Sequence, residues 1–99
     1  MIDQKEAKKT RMRDILWWLK SRPNQTAYDV WRWWASDSRR QRVSSDTILK
    51  DLARLRSNGY LIRSSDVQNG CRTYHFTITH VGQRTLAAIE EGRDATLRL

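Results

Sequence analysis

One short stretch of the sequence, VSSDTILKDLARLRSNGYLIR at residues 43–63, combines an apolar and a charged pattern at helical spacing. Residues three or four apart share one face of a helix, so two opposite faces can be assigned. The apolar stripe consists of Ile48, Leu52 and Leu55. The opposite, polar face comprises Asp46, Lys50, Arg54 and Ser57, with Thr47 beside it. Lysine and arginine donate strong hydrogen bonds to anions, so this face indicates either an anion-binding surface or a solvated helix face.

The charge balance of the whole chain also favours an anionic partner. Nineteen Lys and Arg against eleven Asp and Glu give the 99 residues a net charge of +8 and a pI near 10.4. A strongly basic domain suggests a polyanion, and nucleic acid is the leading candidate. The alternative is a basic surface that only keeps the protein in solution.

The composition restricts other classes of function. A mean hydropathy of -0.80 leaves no apolar run long enough to span a bilayer, so no membrane partner is expected. The single Cys71 and the absence of an apolar N-terminal signal segment predict a cytoplasmic protein without a disulfide. His75 and His80 lie on different predicted elements, and no glycine-rich phosphate loop or catalytic motif is found. We therefore expect no metal, no cofactor and no enzymatic activity.

Hydrophobic periodicity predicts three helices in the first part of the chain, at about residues 6–20, 27–35 and 44–58. Pro23 separates the first two helices, because proline disfavours a helical conformation in the residue before it. Thr26 can cap the second helix, and Ser44 or Ser45 can cap the third, which ends at Gly59. The apolar residues at helical spacing in the first two helices are Met12, Ile15, Leu16 and Leu19, then Ala27, Val30, Trp31 and Trp34.

A β-hairpin is predicted next, over residues 60–78. Its first strand covers residues 60–65, and the chain turns at residues 68–70, Gln-Asn-Gly. Alternation in the returning strand predicts that Tyr74, Phe76 and Ile78 are buried.

A last helix completes the predicted fold, which is of the α+β class. Thr79 can cap this helix, which packs through Val81, Leu86 and Ile89 and ends before Gly92. The chain is expected to form a single domain over residues 1–99. Its core should cover about residues 10–91, with 1–5 and 93–99 frayed.

Two motifs in this order resemble a winged helix-turn-helix domain over roughly residues 10–91. The first is similar to the recognition-helix signature of DeoR-type regulators and consists of Ser44, Thr47-Ile48, Asp51-Leu52, Leu55 and Gly59. The second, FTITHVGQRTL, resembles the end of the wing and the helix start of MarR-type and PadR-type regulators, with Thr79 and Gly82 at the matching positions. The resemblance implies three helices, a β-hairpin wing and a C-terminal helix.

This resemblance implies that the helix at 44–58 enters the major groove of double-stranded DNA, with the hairpin at 60–78 as the wing. Three arginines just before the helix are expected to contact phosphates, unless they lie on an exposed, flexible loop. Asp46 can accept from cytosine or simply favour the helix start. The expected DNA-binding residues are Arg39, Arg40, Arg42, Ser45, Asp46, Thr47, Lys50, Arg54, Arg63 and Arg72.

The five tryptophans divide into two groups. Trp31 and Trp34 fall within the apolar stripe of the second helix and are expected in the core. Trp17 points nearly opposite the stripe of the first helix, and Trp18 and Trp33 lie on shoulders. Exposed tryptophan favours an interface, either of a homodimer or with a protein partner. The alternative is that the last helix of the same chain covers these rings.

These observations lead to a function hypothesis with two alternatives. The first hypothesis is a sequence-specific, double-stranded DNA-binding regulator, a small repressor of a bacterium, phage or plasmid that acts as a homodimer. One alternative is a winged-helix interaction module that binds a protein through the exposed tryptophans. The other is a role in replication or partition at an origin. The basic helix face favours the two DNA-binding hypotheses.

Overall fold

The computed structural model describes residues 4–93 and Leu97 of the chain. The elements are α1 (Gln4–Lys20), α2 (Ala27–Ala35), α3 (Ser45–Ser57), β1 (Leu61–Gln68), β2 (Cys71–Ile78) and α4 (His80–Glu90). This order confirms the predicted α+β class, with three helices followed by a hairpin and a fourth helix. Gln4 and Lys5, expected to be frayed, lie in the first turns of α1.

Three of the helices begin at the predicted capping residues. Thr26 forms a capping box with Asp29, in which each side chain accepts a hydrogen bond from the other residue's backbone N–H at 3.1 Å. Ser44 is the N-cap of α3, which resolves the choice between Ser44 and Ser45. Thr79 caps α4 by accepting from the Gly82 N–H at 3.0 Å.

The C-terminal end of α3 turns the chain directly into the hairpin. Gly59 has a φ of +83°, the left-handed conformation that ends many helices. The N–H of Tyr60 donates to the carbonyl of Leu55 at 2.9 Å, and the N–H of Gly59 donates to the carbonyl of Arg56 at 3.0 Å. This pair of hydrogen bonds is a Schellman motif, so the exit direction of α3 is set by local backbone geometry.

The hairpin pairs β1 with β2 in an antiparallel register from Leu61 opposite Ile78 to Gln68 opposite Cys71. Asn69 and Gly70 form the turn at φ values of 52° and 77°, as a two-residue hairpin loop of this type requires. The N–H of Phe76 also donates to the carbonyl of Gln25 at 2.8 Å, which attaches the segment before α2 to the base of the hairpin.

Only the base of the hairpin packs on the helices. Phe76 and Ile78 are buried as predicted, but the prediction for Tyr74 is wrong, because 42% of this side chain is exposed. Each strand has eight residues and is therefore about 26 Å long, so its distal half extends beyond the helical body. The first strand is longer than predicted, since it continues past residue 65 to Gln68.

One hydrophobic core joins the helices to the base of the hairpin. The predicted stripes supply most of it, namely Met12, Ile15, Leu16, Leu19, Val30, Trp34, Ile48, Leu52, Leu55 and Leu86. Trp31 is half-buried and packs against this core. Leu97 belongs to the core although it lies in the segment expected to be frayed. The ends of the chain that were expected to be frayed also include residues outside the described part of the structure, namely 1–3, 94–96 and 98–99.

Helix α4 approaches the body through Gly82 rather than through Val81. The prediction that Val81 packs on the body is wrong, because 53% of this side chain is exposed. A Cβ atom at position 82 would lie 2.5 Å from the carbonyl oxygen of Tyr60 and 2.8 Å from a side-chain carbon of Ile78. Glycine therefore permits a close approach of α4 to the start of the hairpin.

Candidate nucleic-acid interface

The polar face of α3 is open to solvent along the helix. Because the apolar stripe turns inward, Asp46, Lys50, Arg54 and Ser57 are all exposed, and Thr47 is half-buried beside them. The Lys50 ammonium lies 3.7 Å from the Asp46 carboxylate, and these side chains are 80% and 74% exposed. An exposed ion pair of this kind is weak, so Lys50 can readily exchange it for an anionic ligand.

The start of α3 is held by a local hydrogen-bond network. The Ser44 hydroxyl accepts from the Thr47 N–H at 3.2 Å, and the two hydroxyls lie 3.1 Å apart. Ser45 is the first residue of the helix and is exposed. The hydroxyl of Ser45 is thus presented at the positive end of the helix dipole, where anions are favoured.

A buried ion pair anchors α3 from below. The Arg11 guanidinium of α1 contacts the Asp51 carboxylate through two hydrogen bonds, and the bond from Nη2 to Oδ1 is 3.1 Å long. The side chains are 8% and 1% exposed. Such a planar, bidentate contact restricts both the position and the rotation of α3. No role was predicted for Arg11, and Asp51 was assigned only to a motif, although Asp51 lies on the same side of the helix as Ile48 and Leu55.

The three arginines of the segment between α2 and α3 are not equivalent. Arg39 is 89% exposed and pairs with Asp37 at 3.0 Å, and its hydrogen bonds lower the pKa of that carboxyl to about 2. Arg42 is exposed, and no ion pair to it is found within residues 4–93. Arg40 instead turns inward, where its guanidinium donates to the carbonyl of Trp33 at 2.7 Å and lies 4.3 Å from the Trp33 ring centre.

These placements separate Arg40 from its neighbours in role. The Arg40 contacts close the C-terminal end of α2, because the last carbonyls of a helix lack partners within the helix. Arg39 and Arg42 remain exposed on the segment that leads directly into α3. The structure therefore places two of the three predicted phosphate-binding arginines on the open surface and the third in a stabilising contact.

One cation beside α3 was not predicted from the sequence. Lys8 of α1 lines a small cleft of about 230 Å³ together with Gln41, Val43 and Thr47. This places Lys8 next to the N-terminal turn of α3, although the two are far apart in the sequence.

The hairpin carries two of the predicted cations on its exposed surface. The Arg63 guanidinium lies 4.2 Å from the Tyr74 ring centre, and Arg72 donates to the Ser65 hydroxyl at 2.9 Å. Both contacts join neighbouring positions of the two strands and hold the arginines along the hairpin. Tyr74 is exposed because it lies in the distal half of the hairpin, where Arg63 is its cation–π partner.

Two of the three tryptophans assigned to an interface cover each other. The rings of Trp18 in α1 and Trp33 in α2 are stacked with centres 5.0 Å apart. The Arg22 guanidinium lies over the Trp18 ring at 5.1 Å, and that of Arg40 over the Trp33 ring at 4.3 Å. At least part of the cover of these two rings is therefore mutual, between α1 and α2. Trp17 remains 56% exposed.

The indoles of α2 also position the segment before α3. Trp34 donates through its ring N–H to the carbonyl of Gln41 at 2.7 Å, and Trp31 donates to the carbonyl of Val43 at 3.3 Å. These two bonds secure a polar, basic segment that has no regular structure of its own. The tryptophans of α2 thus fix the path by which the chain enters α3.

Comparison with known structures identifies this arrangement of helices and hairpin. A PadR-like transcription factor from Bacteroides fragilis is 20% identical, with a TM-score of 0.79 over 90% of this chain and 84% of that chain. A PadR family transcriptional regulator from Eggerthella lenta is 19% identical, with a TM-score of 0.74 over 90% and 76% of the two chains. The fold is a winged helix-turn-helix. No model of a protein family matches the sequence, and no curated protein matches it by sequence.

A third similar structure contains nucleic acid. Bacillus subtilis PadR, solved in complex with operator DNA, is 13% identical and has a TM-score of 0.68. The match covers 91% of this chain and half of that protein. The resemblance to PadR-type and MarR-type winged helices is thereby confirmed at the level of the fold.

Two other observations concern alternative kinds of site. Among the described residues, no three His, Cys, Asp or Glu side chains lie close enough together to hold a metal ion. Within the same part of the chain, no helix has both the length and the apolar character needed to cross a membrane.

Proposed function

We propose that this chain is a sequence-specific, double-stranded DNA-binding regulator, with α3 in the major groove and the β1–β2 hairpin as the wing. The observation that carries the proposal is the exposed polar face of α3, fixed from below by the buried Arg11–Asp51 pair. A helix that reads base edges needs long donors on its outer face and a rigid seat, because base contacts depend on precise placement. The operator complex of the structurally similar PadR supports the same use of this fold.

The net charge of +8 supports the proposal from an independent direction. Lys8 lies beside the start of α3, and Arg39 and Arg42 are exposed on the segment that leads into it, so these cations can neutralise phosphates. Arg63 and Arg72 can do so along the wing. This assignment describes a small cytoplasmic repressor of a bacterium, phage or plasmid and gives the chain no catalytic role. Selection of bound fragments from a random duplex library tests it, and the absence of any enriched sequence would contradict sequence-specific binding.

Neutralising Arg39 or Arg42 is expected to weaken binding to all duplexes about equally. Each lost phosphate contact should reduce the slope of log K against log salt by about one, because fewer counterions are released. Fluorescence anisotropy at several salt concentrations measures this slope for Arg39→Ala and Arg42→Ala. Arg32→Ala, which removes an exposed arginine from α2, a helix in neither proposed interface, serves as the charge-matched control. A slope that stays at the wild-type value in both variants would remove this segment from the interface.

We further propose that the protein acts as a homodimer through α1 and α4. Trp17 on α1 and Val81 on α4 are both more than half exposed, and burying such area is favourable by about 25 cal/mol for each Å². A two-fold dimer would present two α3 helices to half-sites about one DNA turn apart. Since Trp18 and Trp33 stack within the chain, the proposed contact centres on Trp17.

Loss of dimerisation is expected for Trp17→Ala at micromolar concentration, because the largest exposed aromatic side chain of α1 is removed. Sedimentation velocity of the variant and the wild type measures the association. Tyr28→Ala is the matched control, since Tyr28 is a similarly exposed aromatic residue on α2. A monomeric wild-type protein, or a dimer that is unaffected by Trp17→Ala, would contradict this interface. In that case Trp17 would favour the alternative of a protein-interaction module.

A further inference from the structure

The outer surface of α3 contains an apolar side chain that belongs neither to the hydrophobic core nor to the polar face of the helix. Leu49 is 48% exposed, although Ile48 directly before it is fully buried. Successive residues of a helix differ by about 100° in direction, so Leu49 turns away from the apolar stripe and toward the outer surface. Its neighbours one turn away and beside it, Ala53 and Lys50, are exposed as well.

Leu49 lies at the part of α3 that a major-groove reader uses. It is the fifth residue of a helix that begins at Ser45, and the N-terminal half of a recognition helix contacts base edges. Lys50 is 80% exposed at the next position, so a cationic and an apolar group are presented side by side. Ala53 adds no bulk one turn later and leaves space next to the leucine.

The chemistry of the major groove offers one apolar group to such a side chain. Thymine carries a 5-methyl group there, the one alkyl group on the base edges, whereas guanine, cytosine and adenine are read through their hydrogen-bonding atoms. A leucine side chain can neither donate nor accept a hydrogen bond, so it cannot read those other edges. We propose that Leu49 is a specificity-determining residue that recognises the 5-methyl group of a thymine in the bound duplex. This inference rests on the proposed function, because it assumes that α3 enters the major groove.

Deoxyuridine provides a direct test, since it differs from thymidine only by the absence of this methyl group. In the duplex that the wild-type protein selects from a random library, thymines are replaced one at a time by deoxyuridine. Burial of one methyl-sized group corresponds to about a fourfold change in affinity. We expect about this loss at one or two positions for the wild type, and little or no loss at the same positions for Leu49→Ala. The comparison forms a double-mutant cycle between one side chain and one methyl group.

The controls separate this inference from the proposed function. Tyr28→Ala removes an exposed side chain from α2, which belongs to neither proposed interface, and should retain the full sensitivity to deoxyuridine. Leu49→Ala should unfold at the wild-type temperature, because its side chain is outside the core. Wild-type binding that is insensitive to deoxyuridine at every position, or an equal loss in both proteins, would overturn the role of Leu49. A selection without any enriched duplex would instead contradict the proposed function itself.

Discussion

Replacement of Asp51 by alanine is expected to lower the free energy of unfolding by about 3–5 kcal/mol, the usual cost of breaking a buried ion pair. The variant leaves the Arg11 guanidinium in a site where only 8% of its side chain reaches solvent. With so little of the Arg11 side chain exposed, water compensates only in part for the lost carboxylate. Urea denaturation followed by tryptophan fluorescence measures the change through the midpoint at constant slope.

A double variant distinguishes the cost of an unpaired charge from the value of the pair itself. Arg11→Met together with Asp51→Leu removes both charges while keeping apolar volume, and we expect it to recover most of the lost stability. Recovery of stability without recovery of DNA binding would indicate that the ion pair specifies the orientation of α3. An Asp51→Ala variant as stable as the wild type would show that the pair contributes nothing to the fold.

Sequence patterns identified the elements of this fold because their signals are local. The spacing of Met12, Ile15 and Leu19 decides which side of α1 is buried, and Ser44 and Gly59 terminate α3 through hydrogen bonds within a few residues. Such signals need no knowledge of the remaining chain. The exposed face of α3 follows in the same way, because it is the complement of the buried stripe.

The features that were not predicted depend on partners distant in the sequence. Arg11 and Asp51 are separated by 40 residues. Helical periodicity places each residue on the buried side of its own helix, but it cannot predict that the two side chains form a hydrogen bond. Arg40 was missed for a different reason, since its inward turn depends on the Trp33 carbonyl seven residues earlier, outside the spacings that helical periodicity considers. Arginine is long enough to face solvent or to fold back, so charge alone could not assign its role.

The stacking of Trp18 on Trp33 is a further case of this limit. Both rings lie on helix shoulders, where a helical wheel allows either exposure or an intramolecular contact. The crossing of α1 and α2 decides the outcome, since it brings the ring centres to 5.0 Å. An interface therefore cannot be assigned to tryptophans from their wheel positions alone, although Trp17 is the one of the three candidates that is more than half exposed.

Loss of sequence discrimination is the expected result of removing Lys50 and Arg54 from the outer face of α3. Each substitution by alanine should weaken binding to the selected duplex by about 1–3 kcal/mol, and binding to random DNA by much less. The reason is that base-edge contacts form only on the correct sequence, whereas phosphate contacts form on every duplex. Anisotropy titrations of both duplexes at one salt concentration measure the ratio of the two affinities for each variant.

Arg54→Lys is the informative control for this prediction, because it keeps the charge and removes the planar, bidentate donor pair. If Arg54 reads a guanine edge, the lysine variant should bind random DNA like the wild type and yet discriminate almost as poorly as Arg54→Ala. If Arg54 contacts only a phosphate, the lysine variant should behave like the wild type on both duplexes. Equal losses on selected and random DNA in the alanine variants would contradict base reading by α3. The specificity would then have to come from the hairpin or from the shape of the duplex.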